Sequence, residues 1–129
     1  MGVLAPAALL AALLVVAAAP GARAAQGVYC TALDGSGVAL ALTLGAGPAH
    51  PVLAAVLETP DSGESHGAPP MVAQAFLGAE WLAVTLADPE SAEIVAEARV
   101  LRVETGRQLH QYGYLRRGDQ VHPVACEGP

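Results

Sequence analysis

The chain has two cysteines, and they bracket nearly everything between them: Cys30 lies in "GVYC" and Cys126 in the closing "HPVACEGP". Whether such a pair is a structural bond depends on the compartment, and the beginning of the chain speaks to that. Residues Val3 to Ala19 carry no charge, a Pro-Gly break follows at Pro20 and Gly21, and "ARAA" places small residues at the spacing a signal peptidase reads. No Lys or Arg precedes the apolar run, and Pro6 interrupts it, leaving it short of the roughly 20 residues that span a bilayer. The expected organisation is a cleaved signal peptide over 1–25 and a single disulfide-stapled β domain over 26–129, periplasmic or secreted, with no stable membrane span after processing. In an oxidising compartment two thiols leave one connectivity, Cys30 to Cys126, and the chain contains no C-x-x-C that would suggest redox or metal chemistry.

Charge narrows the partners. The chain carries −6 formally and has no Lys, and removing Arg23 with the leader takes the domain to −7. Phosphate backbones need a basic surface, so nucleic acid is not an expected partner. What remains is long enough for one modest core.

The domain reads as strands separated by turns. In "VALALTL" the residues Val38, Leu40, Leu42 and Leu44 alternate with Ala39, Ala41 and Thr43, and "WLAVTLA" groups Leu82, Val84 and Leu86 in the same way. "VLAAVLE" and "MVAQAFL" are further apolar segments, on either side of a loop rich in Pro, Gly and Ser. The stretch "ESAEIVAEARVLRV" admits two readings. As a strand it puts Ile94, Ala96, Ala98 and Val100 on one face, with a bulge before Leu101 and Val103 take over. As a helix near residues 90–102 it would begin at the cap-like Asp88, Pro89 and Glu90. The strand is preferred. The fold expected is all-β, a small antiparallel barrel or sandwich of about seven to eight strands with one disulfide; the alternative is α+β.

The last hairpin can be placed residue by residue. With Gly118 and Asp119 as the turn, Arg117 faces Gln120, Leu115 faces His122, Gly113 faces Val124 and Gln111 faces Cys126. Leu109, Leu115, Val124 and Cys126 then share one face, and Tyr112, Tyr114 and Arg116 project from the other. Pro123 cannot donate a ladder hydrogen bond, which predicts an edge strand or a bulge.

Several short motifs are better explained by local structure than by chemistry. "GESHG" at Gly63 to Gly67 matches the serine-nucleophile pattern G-x-S-x-G, but a Pro-flanked loop lacks the strand-turn-helix setting that exposes such a serine. "RGD" at Arg117 to Asp119 suits a tight turn. His50, His66, His110 and His122 show no metal-ligand spacing, with His50 and His66 read as loop spacers, and "LDGSG" lacks most of the oxygen ligands of a calcium loop. No catalytic residue, metal or cofactor is expected. The expected role is a non-catalytic exported binding domain that recognises a protein or cell-envelope ligand through Tyr112, Tyr114, Arg116 and Arg117. Tyrosine offers contact area with a polar tip, and arginine offers forked donors. The alternatives are a structural or assembly component of the envelope, or a small serine hydrolase using Ser65 and His66.

The run "YGYLRRGDQV", Tyr112 to Val121, resembles the Tyr-containing strand ending in Lys-Gly-Asp of the periplasmic and membrane-bound C-type lysozyme inhibitors. The resemblance implies a flattened eight-stranded antiparallel barrel, with a Tyr and a Cys on the first strand and a second Cys near the end. It matches Tyr112 to the motif tyrosine, Arg117 to its basic residue, Gly118 to its glycine, and Thr105 with Gly106 to a Ser-Gly loop. Here Arg stands where the family carries Lys, and the chain after Asp119 is shorter than the family's.

Overall fold

The computed structural model describes residues 26–47, 51–60 and 69–129. They form eight strands: β1 (Gln26–Ala32), β2 (Ala39–Leu44), β3 (Val52–Glu58), β4 (Met71–Leu77), β5 (Trp81–Ala87), β6 (Ile94–Thr105), β7 (Gln108–Arg117) and β8 (Gln120–Glu127). All the pairings are antiparallel, in the order β3-β2-β1-β8-β7-β6-β5-β4. The sheet curls into a nearly closed barrel, and since among the described residues no ladder joins β3 to β4, an open seam lies between them. No described helix is long and apolar enough to cross a membrane.

Alternation explains the core. Leu40, Leu42 and Leu44 of β2, together with Leu82, Val84 and Leu86 of β5, point inward and are buried, as their period of two predicts. Val28, Val100, Leu115 and Val124 complete an aliphatic interior. The strands on either side of the seam contribute less, with only Val52, Ala55, Leu57, Val72 and Leu77 partly buried against this core.

Cys30 and Cys126 are direct cross-strand partners on β1 and β8, bonded at an S–S distance of 2.02 Å with their Cα atoms 4.0 Å apart. This is the closer, non-hydrogen-bonded class of antiparallel pair, the one whose side chains approach nearest. The bond fastens the last strand to the first, as the placement of the two cysteines implied.

The ambiguous segment after Asp88 is a strand, and the helix alternative over residues 90–102 is wrong. Its cap is real but serves one turn only. Asp88 Oδ1 accepts hydrogen bonds from the Glu90 and Ser91 amides, and the Ala92 amide donates to the Asp88 carbonyl. Ala92 then adopts φ 61°, which ends the turn before β6 begins. The bulge expected before Leu101 is also absent, since β6 pairs with β7 without a break from Glu97↔Arg116 to Thr105↔Gln108. The irregularity lies at the other end of the strand, where Leu86 pairs with Ala96 but Ala87 with Ile94. Val95 is the extra residue there, and Ile94 turns outward instead of joining Ala96.

Leu101 and Val103 face solvent because Arg102 holds the inward position between them. At the barrel rim its guanidinium donates to Gln111 Oε1, to the Gly78 carbonyl and to Pro129 O.

Pro123 is on neither an edge nor a bulge. Strand β8 lies between β1 and β7, with Pro123 opposite Tyr114. Its carbonyl accepts from the Leu33 amide just beyond the end of β1. The reciprocal donor that proline lacks would point to the same place, where the β1 ladder has already finished.

Candidate aromatic binding face

The hairpin register predicted for the end of the chain is the one observed, from Gln111↔Cys126 to Arg117↔Gln120. The turn residue Gly118 has φ 57° and Asp119 has no positive φ, the pattern of a Gly-first two-residue hairpin loop. Tyr112, Tyr114 and Arg116 therefore project outward together, facing Leu101, Arg99 and Glu97 of β6 on one side and Ala125, Pro123 and Val121 of β8 on the other. Arg117 has the opposite parity and sits at the barrel rim, so it does not share the tyrosines' face.

The outer surface is unusual in what it holds. The chain has one Phe, one Trp and three Tyr, and all five are outside: Tyr29 is 44%, Phe76 60%, Trp81 51%, Tyr112 56% and Tyr114 37% exposed. Aromatic side chains bury the most area of any residue and usually dominate a core. Here the interior is filled without them. Trp81 pairs with Leu101, which pairs with Tyr112, so three exposed apolar side chains form one row across β5, β6 and β7. The His110 ring lies parallel to Tyr112, with 6.5 Å between centroids and 9° between planes. Beside this row the turn between β4 and β5 and the overhanging β6–β7 hairpin enclose a groove of about 540 Å³, lined by Ala79, Glu80, Leu101, Arg102, Val103, Glu104 and Leu109.

The tyrosines differ in their partners. Tyr29 donates its hydroxyl to Glu58 Oε2 at 3.0 Å, and that carboxylate raises its pKa. Neither Tyr112 nor Tyr114 has a hydroxyl partner among the described residues. Arg99 is held in place by the Val84 and Ala98 carbonyls and by Thr85 Oγ1. All five arginines of residues 26–129 lie between Arg99 and Arg117, so the positive charge of an otherwise acidic domain is confined to the β6–β7 region.

A second polar site lies at the opposite end of the barrel and was missed in the sequence. His122 is buried, with its side chain 9% exposed, and its Nδ1 is 2.7 Å from Asp34 Oδ2. Its Nε2 is buried without a hydrogen-bond partner. With a proton on Nδ1 the ring donates to the carboxylate, which orients the imidazole. The arrangement has the base and the orienting carboxylate of a nucleophile-activating site, but no hydroxyl or thiol meets Nε2 among the described residues.

Hydrogen bonds from the Ser36 side chain and the His122 ring, reinforced by the Ser36 amide, lower the Asp34 pKa to about 2. A carboxylate lowered by folding stabilises the protein above its ordinary value of 3.8, and that stabilisation is lost as pH falls through about 2. Urea unfolding measured between those values should therefore show Asp34→Asn losing less stability on acidification than the parent protein. Parallel acid limbs for the two proteins would contradict this.

Among the described residues no group of three His, Cys, Asp or Glu side chains is placed to hold a metal ion. His50, Ser65 and His66 lie outside the described residues, as do the "GESHG" loop and the leader. Comparison with protein-family models, with curated proteins and with solved structures finds no match to this chain.

Proposed function

We propose that the protein is an exported, non-catalytic binding domain that recognises a protein or cell-envelope ligand through the outer face of β5 to β8. One observation carries this reading: every aromatic side chain is displayed to solvent while the core is aliphatic. Monomeric proteins rarely display large apolar patches without a partner, and tyrosine, tryptophan and arginine are the side chains that anchor interfaces. Tyr112 and Tyr114 are the central anchors, Arg116 extends the same face, and Arg117 reaches the ligand only from the rim. Export is supported by the leader's composition and by a buried disulfide, a bond that persists where thiols are oxidised.

Within this reading a lysozyme-inhibitor-like role is supported by the Tyr112–Val121 motif and by an eight-stranded disulfide-bonded barrel. Purified protein at micromolar excess should then abolish lysozyme activity, and full residual activity would dismiss that version. The broader reading is tested with Tyr112→Ala combined with Tyr114→Ala. A partner recovered stoichiometrically from envelope extract by the parent protein should be lost by the double variant, and undiminished recovery would remove the face from consideration. Recovery of no stoichiometric partner would leave a structural or assembly role without support as well.

A further inference from the structure

We propose that the row formed by Trp81, Leu101 and Tyr112 binds a neutral, β-1,4-linked pyranose chain laid across the strands. This rests on the face being a binding surface and narrows what it binds. The row crosses two strand spacings, which sets the backbone positions that carry Trp81 and Tyr112 about 9 to 10 Å apart. In an extended β-1,4-linked chain, alternate sugar rings turn the same face to one side and recur at about this interval. Each such ring offers a flat, C–H-bearing face to an aromatic side chain. Leu101, 43% exposed, supplies an apolar floor between the two aromatic platforms. The parallel His110 ring flanks Tyr112 from two residues earlier on β7.

Charge selects the class of ligand. The row has no ionised side chain along its whole course, from Trp81 through Leu101 and Tyr112 to Ala125, although the chain as a whole carries −6. Glu80 and Glu104 line the adjoining groove, and the Arg102 guanidinium beside them is already engaged by Gln111, Gly78 and Pro129, so the groove offers an anionic polymer repulsion without an uncommitted cation. A neutral, hydroxyl-rich chain meets no such penalty, and the same two carboxylates can accept hydrogen bonds from its hydroxyls. A row on an open sheet face also suits a polymer crossing the surface better than a small molecule, which a concave site would bury.

Trp81 is the only tryptophan, so its fluorescence reports this face directly. Titration of the exported protein with chitohexaose and with cellohexaose at millimolar concentrations should give a saturable change in emission. Tyr112→Ala, which leaves the reporter in place, should weaken that binding about tenfold or more with an unchanged circular dichroism spectrum. Maltohexaose, whose α-linkages curl the chain, should give no saturable change. The proposal is overturned if neither β-linked oligosaccharide is bound, or if maltohexaose is bound as well as they are. A Trp81 response to lysozyme and to neither β-linked oligosaccharide overturns the glycan assignment and keeps the face as a protein-binding surface. Failure of the broader reading is separately visible, as unchanged partner recovery by the double tyrosine variant.

Discussion

Replacing Cys30 and Cys126 together with alanine is expected to cost about 4 kcal/mol of folding stability, the largest loss from any change outside the aliphatic core. The bond joins residues 96 apart in sequence, so breaking it releases nearly the whole domain from a closed loop in the unfolded chain. It also lies at a vulnerable place in the native barrel. Strand β1 meets β8 over only the stretch from Tyr29↔Glu127 to Ala32↔Val124, and the far side of the barrel is already open between β3 and β4. Small domains are stable by roughly 5 to 15 kcal/mol, so the double variant should be marginal. Urea unfolding measures the difference, and a change below about 1 kcal/mol would show that the bond restrains little.

The second large effect is expected at Gly113, where alanine should cost about 3 kcal/mol or more. A Cβ added there would stand 1.9 Å from the Arg99 carbonyl oxygen and 2.6 Å from the Val100 Cα. Both obstacles are backbone, so no side-chain rotation relieves the contact, and β6 and β7 must separate. Gly113 is also the residue between Tyr112 and Tyr114, and any shift of β7 displaces both. Gly113→Ala should therefore lower stability and ligand binding together, with urea unfolding and partner recovery as the measurements. Unchanged stability would contradict a close approach of the two strands at Gly113.

The aromatic face was partly legible in the sequence because a two-residue turn at Gly118 and Asp119 fixes the register of everything that follows. Once Arg117 faces Gln120, Tyr112 and Tyr114 must share a face. The same parity separates Arg117 from them, since it lies one residue from Arg116 on an alternating strand. Trp81 was readable by the same logic: if Leu82, Val84 and Leu86 point inward, the residue before them points outward. What joins Trp81 to Tyr112 is the pairing of β5 with β6 and β6 with β7, and a bulge expected in the wrong place on β6 obscured it. Arg102 was the cause. A charged side chain in an inward position looks like a change of face, yet at the rim it is accommodated by carbonyl acceptors from the turn at Gly78 and the end of the chain.

His122 shows a different limit. The hairpin register placed it opposite Leu115, on the same side as Val124 and Cys126, and that side is the interior. Its burial therefore followed from alternation. Its partner did not, because Asp34 lies 88 residues away in the turn after β1 and only the closure of the barrel brings the two together. The Pro123 expectation failed for a similar reason. A missing amide excludes a central strand only where a neighbour needs that amide, and β1 ends just before it would.

The double variant Tyr112→Ala, Tyr114→Ala tests most directly whether these aromatic side chains are displayed for recognition or only shield the sheet. An unfolding free energy within about 1 kcal/mol of the parent is expected, as for exposed positions, together with loss of the envelope partner. A loss of 3 to 5 kcal/mol, roughly the range for an aromatic removed from a core, with the partner still bound, would contradict it.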